Sequence, residues 1–546
     1  MSESVLPGIG VGTAAVSGPV ARMGEPLAAP AVDAVPAGPA AEERARALAA
    51  LAEVAAELNR RAALAGAQSP GGEAQSVLEA QAMMAEDPSL AQTVADRTEA
   101  GRTAERALFE AFGQFREQLA QAGEYLAARV ADLDDLAARA ISAASGVPMP
   151  GVPEHDTPFV LVANDLAPAD TALLDLTKVL ALVTAEGGPT SHTAILARSR
   201  GIPAVVGVRG ALDLAEGTEV VVDAAAGQVI AHPSAQLLAE VADRARTRQA
   251  TLAATDKSPG RTADGVEIKL LANVGGAGDL AAAQAAGAEG VGLFRTEFLY
   301  LGSDTPPSFK TQVDAYRAVL DGFPGQRVVV RTLDAGADKP LPFLPLGDEP
   351  NPALGVRGLR AFRGEHQALL ETQLRALAAA SALSEAELWV MAPMVADEDD
   401  SRWFVELARS FGLERVGVMV EVPSAALCAD AVLAVTDFAS IGTNDLTQYT
   451  LAADRMLGSL GPLQDPWHPA VLRLVELTGT AGAAVGKSVG VCGEAAADPE
   501  LALVLVGLGI TSLSMAPGAI AEVRAALAGH TLAECRRLAV EALRRR

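Results

Sequence analysis

Apolar and polar positions follow two different rhythms along this chain. From Ala41 to about Ser145 the sequence is rich in Ala, Leu, Glu and Arg, with turn signals at Ser69-Pro70-Gly71-Gly72 and Asp87-Pro88, which predicts several helices. On either side the rhythm shortens. Gly8 to Met23 alternates Gly, Val and Ala, while Pro158 to Ala163, Val179 to Thr184 and Glu219 to Asp223 are short apolar runs bounded by Gly, Pro and Asp, so both flanks read as strands. The helical block therefore reads as an insertion into an α/β domain. A polar, helix-prone segment from Ser234 to Ala254 runs into the breaker cluster Ser258-Pro259-Gly260, where the main domain boundary is expected.

Beyond it lie eight candidate strands: Glu267 to Val274, Gly290 to Phe298, Arg327 to Asp334, Glu387 to Val395, Arg415 to Pro423, Phe438 to Leu446, Ser488 to Glu494 and Ile510 to Ala516. Most are separated by helix-length segments, the pattern of a (β/α)8 TIM barrel, whose active site collects at the C-terminal strand ends. Nearly every polar residue that stands out falls at such an end: Arg295, Arg331, Asp334, Glu421, Asn444, Asp445 and Cys492. The expected organisation is an α/β domain from 1–30 and 150–233, a helical insert at 31–149, a helical linker at 234–260 and a barrel at 261–546.

The length of 546 residues allows roughly two to four domains, and with half of the residues hydrophobic a large core can form. Met1 to Val20 has no basic region ahead of an apolar stretch, and no run approaches the roughly 20 apolar residues of a membrane span. A cytoplasmic protein without membrane insertion is expected. Cys428, Cys492 and Cys535 form no CxxC pair, which argues against a disulfide framework and a zinc site. A net charge of −25 argues against nucleic acid as a partner. It suits a basic protein partner, or solubility alone.

Glu186-Gly187-Gly188-Pro189-Thr190-Ser191-His192-Thr193-Ala194-Ile195 follows an apolar strand and opens a helix that Thr190 or Ser191 can cap. His192 then falls in the first turn, where unpaired N–H groups and the helix dipole favour an anion, so a phosphate carried on the imidazole is stabilised where it forms. A neutral imidazole is a competent nucleophile near neutral pH. A lone histidine can equally help to cap a helix; the Gly-Gly turn and flanking hydroxyls favour the nucleophile.

The segment from Gly187 to Ser199 resembles the phosphohistidine segment of enzyme I of the phosphoenolpyruvate:sugar phosphotransferase system, and the same kind of segment occurs in pyruvate phosphate dikinase and phosphoenolpyruvate synthase. The resemblance runs over essentially the whole chain, with Pro189 where the family usually has Arg. It extends to Gly292-Leu293-Phe294-Arg295-Thr296-Glu297, Arg331-Thr332-Leu333-Asp334, Asn351-Pro352-Ala353-Leu354-Gly355-Val356-Arg357, Ile441-Gly442-Thr443-Asn444-Asp445-Leu446 and Gly490-Val491-Cys492-Gly493-Glu494. It implies that Arg295, Arg331 and Arg357 hold the phosphoryl region, that Asn444 and Arg455 bind phosphoenolpyruvate, that Glu421 and Asp445 ligate Mg²⁺, and that Cys492 is the proton donor. Independently of the resemblance, a substrate with a carboxylate and a phosphate calls for guanidinium forks and a divalent metal, and two carboxylates are the sparse ligation Mg²⁺ favours.

The implied function is transfer of the phosphoryl group of phosphoenolpyruvate to His192 and onward to a histidine of the phosphocarrier HPr. A swivelling domain would carry His192, the helices around Val77 to Met84 would dock HPr, and the barrel would form a homodimer. Gln81 stands where relatives often have histidine. Two alternatives remain: a dikinase or synthase, which needs a further nucleotide-binding domain where this chain opens directly on the phosphohistidine domain, and a non-catalytic docking protein.

Overall fold

A computed structural model describes residues 3–12, 14–24, 29–68, 73–121, 130–147, 149–153, 155–166, 174, 178–188, 193–194, 197, 202–254, 257–301, 303–336, 341–347, 349–455 and 457–544. The chain divides into two compact units, Met1–Ala245 and Arg246–Arg546.

The first unit is built on a mixed eight-stranded sheet. Its strands are β1 (Ser4–Pro7), β2 (Ile9–Val11), β3 (Ala15–Arg22), β4 (Phe159–Ala163), β5 (Val179–Thr184), β6 (Ala204–Val206), β7 (Glu219–Asp223) and β8 (Gln228–Ala231), in the order β1-β8-β7-β3-β4-β5-β6-β2. The β3–β4, β4–β5 and β5–β6 pairs are parallel and the others antiparallel. β4 is buried along its whole length, as a continuous apolar run covered on both faces should be. Phe159, Leu161 and Ala163 pack with Leu182 and Ala194 on one face; Val160 and Val162 pack with Val183, Val220 and Val222 on the other. β6 and β8 have no counterpart in the sequence reading, because three and four residues are too few to set up a period.

Between β3 and β4 the chain builds α1 (Ala40–Gln68), α2 (Glu73–Ala85), α3 (Pro88–Glu99), α4 (Ala104–Gln121) and α5 (Val130–Ala144). On α1, Ala47, Leu51, Val54, Ala55, Leu58 and Ala62 recur at three- and four-residue steps and bury one stripe against Leu78, Val94, Leu108 and Leu136. Asp87-Pro88 starts α3: the Asp87 carboxylate accepts from Ser89 N at 2.7 Å, and Pro88 opens the first turn. The Ser69-Pro70-Gly71-Gly72 turn lies outside the described residues. On α2, Met83 is exposed and Met84 packs against the helical core, while the buried Gln81 donates from Nε2 to Asp132 Oδ1 at 2.9 Å.

The second unit is a closed barrel of β9 (Lys269–Val274), β10 (Gly290–Arg295), β11 (Arg327–Arg331), β12 (Glu387–Ala392), β13 (Val416–Val420), β14 (Phe438–Ile441), β15 (Ser488–Val491) and β16 (Ser512–Met515). Every neighbouring pair is parallel, and β16 pairs back onto β9. Alternate strand residues fill the interior, among them Leu293, Val329, Met391, Met419 and Phe438; their neighbours, such as Leu270, Val291, Val328, Val390 and Val418, pack into the main core. All eight predicted strands are present, but every predicted run except Glu267 to Val274 overshoots at its C-terminal end. Phe438 to Leu446 is predicted, whereas β14 stops at Ile441 and Gly442 leads straight into the helix Thr443–Leu451. The overshooting residues are the motif residues, which belong to turns and helix starts.

Candidate active site

A parallel barrel points all its C-terminal strand ends one way, so side chains far apart in sequence meet there. Arg295 and Arg331 are the last residues of β10 and β11; Glu421 and Cys492 directly follow β13 and β15. Asn444 and Asp445 occupy the first turn of the helix after β14. Arg357 does not sit at a strand end. It lies in the long connection from β11 to β12, immediately before the 3-10 turn Gly358–Phe362, and reaches the same group from there. Arg455 follows the helix Thr443–Leu451, whose C-cap Ala452 is left-handed at φ 50°.

These side chains form an alternating run of charge. Arg331 Nη2 donates to Glu297 Oε1 at 2.9 Å and Nη1 lies 3.5 Å from Asp334 Oδ2. Arg357 donates to both carboxylate oxygens of Asp334, at 3.3 and 3.1 Å, and to both of Asp445, at 2.9 and 3.3 Å. Arg455 Nη1 lies 3.8 Å from Asp445 Oδ2. Burial alone disfavours charge on Arg331 and Arg357, but the neighbouring carboxylates outweigh it and raise both above the ordinary guanidinium value. Arg295 goes the other way. It keeps solvent-accessible area, yet the protein mass around it and then the like charge of Arg331 lower its pKa. Glu297 Oε2 and Arg331 Nε are both buried without a hydrogen-bond partner among the described residues.

The donor set fits a divalent cation. Burial first, then the charges of Asp445 and Asp334, push the Glu421 carboxyl up to about 7, so three acidic groups repel one another across one small volume. Glu421 Oε1 is already turned by a hydrogen bond from Met394 N at 2.7 Å, a residue held in the left-handed region at φ 56°. A Cβ on Gly442 would stand 2.8 Å from Glu421 Oε2, so glycine is needed beside this carboxylate. Arg295, Arg331, Arg357 and Arg455 are balanced one for one by Glu297, Asp334, Glu421 and Asp445, so a multiply charged anion entering here meets little net positive charge. A cation arriving with it would restore the balance. No cluster of three or more His, Cys, Asp or Glu suited to a metal occurs among the described residues.

Cys492 is buried at the β15 end, its N–H donating to Ile441 O at 3.0 Å and its thiol 3.6 Å from the same carbonyl. Burial pushes the thiol up to about 11, against the lowering effects of Ser440 and Arg331, so it is protonated at neutral pH. Asn444 Oδ1 accepts from Glu494 N at 3.0 Å and so holds the loop beyond Cys492.

His192 lies outside the described residues, as do Pro189, Thr190 and Ser191. Around them, Gly187 adopts φ 96°, which the predicted Gly-Gly turn requires, and the buried Thr193 donates from its hydroxyl to Asp165 Oδ1 at 2.9 Å.

The sequence reading gave Glu297, Tyr449 and Asn273 no role. Glu297 bridges Arg331 and the Asp334 backbone N–H, and Tyr449 accepts from Arg357 Nη1 at 3.1 Å while donating to Ala353 O. Glu297 closes the motif that begins at Gly292 and Tyr449 follows the one that ends at Leu446, so a carboxylate two residues after Arg295 and a tyrosine one helical turn after Asp445 were the available signals. Asn273, at the end of β9, sits in no motif.

A parallel barrel that gathers guanidiniums and carboxylates at its strand ends defines an enzyme for a multiply charged anion. Residues 249–532 match the model of the phosphoenolpyruvate-binding domain of phosphoenolpyruvate-utilising enzymes, residues 155–227 the model of their mobile domain and residues 3–129 the model of their N-terminal domain. The chain is 56% identical over 542 residues to a phosphoenolpyruvate-protein phosphotransferase of Streptomyces coelicolor, covering 99% of this chain and 96% of that protein. It is 42% identical over 497 residues to one of Haloferax volcanii, covering 87% and 86%, and 40% identical over 472 residues to one of Staphylococcus carnosus, covering 83% and 82%. The chain belongs to the phosphoenolpyruvate-utilising enzymes, among the phosphoenolpyruvate-protein phosphotransferases. No helix among the described residues is long and apolar enough to cross a membrane.

Proposed function

We propose that this protein takes the phosphoryl group of phosphoenolpyruvate onto His192 and passes it to a histidine of the phosphocarrier HPr, the first step of sugar phosphotransfer, releasing pyruvate. The observation that carries the reading is the convergence of Arg295, Arg331, Arg357 and Arg455 with Glu421, Asp445 and Cys492 at one end of the barrel. Arg295 and Arg331 hold the phosphoryl group, Arg357 steadies that region through Asp334 and Asp445, and Asn444 and Arg455 bind the remainder of the substrate. Mg²⁺ on Glu421 and Asp445 supplies, when bound, positive charge beside the phosphoryl oxygens. The His192 imidazole attacks phosphorus, the bond from phosphorus to the enol oxygen breaks, and the enolate takes a proton at its methylene carbon from the Cys492 thiol.

The histidine must serve two partners, so the domain that carries it swivels between the barrel site and HPr bound at the helical insert. The protein acts in the cytoplasm as a homodimer through the barrel. The test is to incubate the pure protein with Mg²⁺ and phosphoenolpyruvate labelled on phosphorus. Acid-labile, base-stable label is expected on the parent and none on His192→Ala, which should still bind phosphoenolpyruvate. Absence of label on folded parent protein returns the docking-protein reading.

A further inference from the structure

The β15–β16 ladder ends one residue before Cys492, at Val491 opposite Leu513. Were it to continue, the Cys492 carbonyl would point, like its own N–H, towards β14. Instead that carbonyl accepts a hydrogen bond from Asn273 Nδ2 at 3.1 Å, a side chain reaching over from β9, on the far side of β16. The amide is itself oriented, because Ser514 Oγ on β16 donates to Asn273 Oδ1 at 2.6 Å and thereby fixes which end of the amide carries the N–H groups. Ser514 is buried. On the other side of the same residue, Cys492 N–H is held by Ile441 O of β14 at 3.0 Å. Two strands thus grip the backbone of one residue, β14 through a main-chain carbonyl and β9 through the Asn273 side chain, which Ser514 of β16 aligns.

From this we infer that Asn273, aligned by Ser514, is a positioning residue that aims the Cys492 thiol at the methylene carbon of the enolate. The inference rests on Cys492 being the acid. In that step the S–H bond breaks as the new C–H bond forms, the enolate oxygen becomes the ketone of pyruvate, and the thiolate regains its proton from water. Asn273 makes no contact with the migrating proton; it sets the direction from which the proton comes. A proton delivered from one fixed direction reaches one face of the enolate, so the property that depends on Asn273 is facial selectivity. Misplacing a reacting group by about an ångström lowers a rate by about a hundredfold, and here water then competes from either face.

The experiment uses the full-length protein with Mg²⁺, HPr and phosphoenolpyruvate bearing a single deuterium of defined geometry on its methylene, turned over in tritiated water, with the chirality of the pyruvate methyl read out. The parent is expected to give one configuration. Asn273→Ala should keep the phosphoenolpyruvate affinity within about threefold, slow pyruvate release by about ten- to a hundredfold and give largely racemised methyl, and Ser514→Ala should do the same more weakly. Should Asn273→Ala fail to fold by circular dichroism, Ser514→Ala carries the test alone. Full facial selectivity in whichever of these variants folds, with selectivity lost in Cys492→Ser, overturns the positioning role and leaves the acid in place. Full selectivity in Cys492→Ser overturns the acid assignment and the positioning role with it.

Discussion

Arg331 and Glu297 form an ion pair of 2.9 Å in which both side chains are almost entirely withdrawn from water. The same Glu297 oxygen also accepts from Asp334 N at 3.1 Å, so one carboxylate sets both the direction of the Arg331 guanidinium and the turn that follows it.

Removing that carboxylate should therefore hurt binding and stability together. Glu297→Ala leaves the Arg331 guanidinium the longer contacts to Asp334 Oδ2 and Met419 Sδ, and the loss of a charge-assisted, buried hydrogen bond is expected to cost about 2 kcal/mol. Urea denaturation checks the stability, and calorimetric titration with phosphoenolpyruvate checks an expected affinity loss of at least tenfold. Parent-like values in both would mean Arg331 is held by something other than Glu297.

Glu421→Gln and Asp445→Asn are each expected to abolish Mg²⁺-dependent labelling, since one remaining carboxylate is too little charge for the ion. The parent should also show a pH effect on Mg²⁺ binding alone. With Glu421 raised to about 7, the ion must displace a proton below that pH, so its affinity should fall by up to about tenfold per pH unit as the pH drops from about 7. Glu421→Gln removes the titrating group, and any residual binding should lose this slope. A flat profile for the parent would count against Glu421 as a ligand.

Gly493 is a steric requirement. A Cβ at this position would stand 1.9 Å from Thr443 Oγ1 and 2.7 Å from Thr443 N, so Gly493→Ala must push the start of the helix that carries Asn444 and Asp445. We expect a phosphoenolpyruvate affinity at least tenfold weaker, with the circular dichroism spectrum kept. Unaltered affinity would show that the helix start can shift without consequence.

The buried Cys492 thiol gives a signed stability prediction. Its pKa rises from 9.0 to about 11 on folding, so between those values the folded state holds more of the proton than the unfolded chain does. Stability should accordingly fall as pH climbs from about 9 to about 11, by up to about 1.4 kcal/mol per pH unit from this group. Cys492→Ala should lack that component. Identical slopes for the two proteins in urea midpoints across this window would refute a raised thiol.

The barrel was legible because its strands are mostly buried apolar runs, several of them ending in or leading directly into a conspicuous polar residue, as β10 ends at Arg295, β11 at Arg331 and β13 leads into Glu421. What could not be read is pairing across long stretches of chain. Arg357 joins Asp334 to Asp445, 23 and 88 positions away, and only the folding back of the β11–β12 connection brings them together. Glu297 was overlooked for a similar reason, since its partner Arg331 is 34 positions on. Strand ends were blurred because apolar strands run directly into motif residues that adopt helical turns, as at Ile441 to Asn444. Asn273 carries no local signal at all; its meaning comes from barrel closure, which brings β9 beside β16.

β3 and β4 are parallel neighbours, with Val20 opposite Val160. Strands in that relation cannot be joined by a tight hairpin, because the chain leaving one must return along the whole sheet before starting the next. The five helices α1 to α5 occupy that return path, so they are a crossover connection grown to the size of a domain. This gives the position a lower limit and no evident upper one. Trimmed to a hairpin turn, the sheet could not keep its strand order; replaced by any helical module whose ends span the same return, it could. The site is a natural splice point, where a helical module can be exchanged during evolution or by design while the sheet beneath it keeps its register.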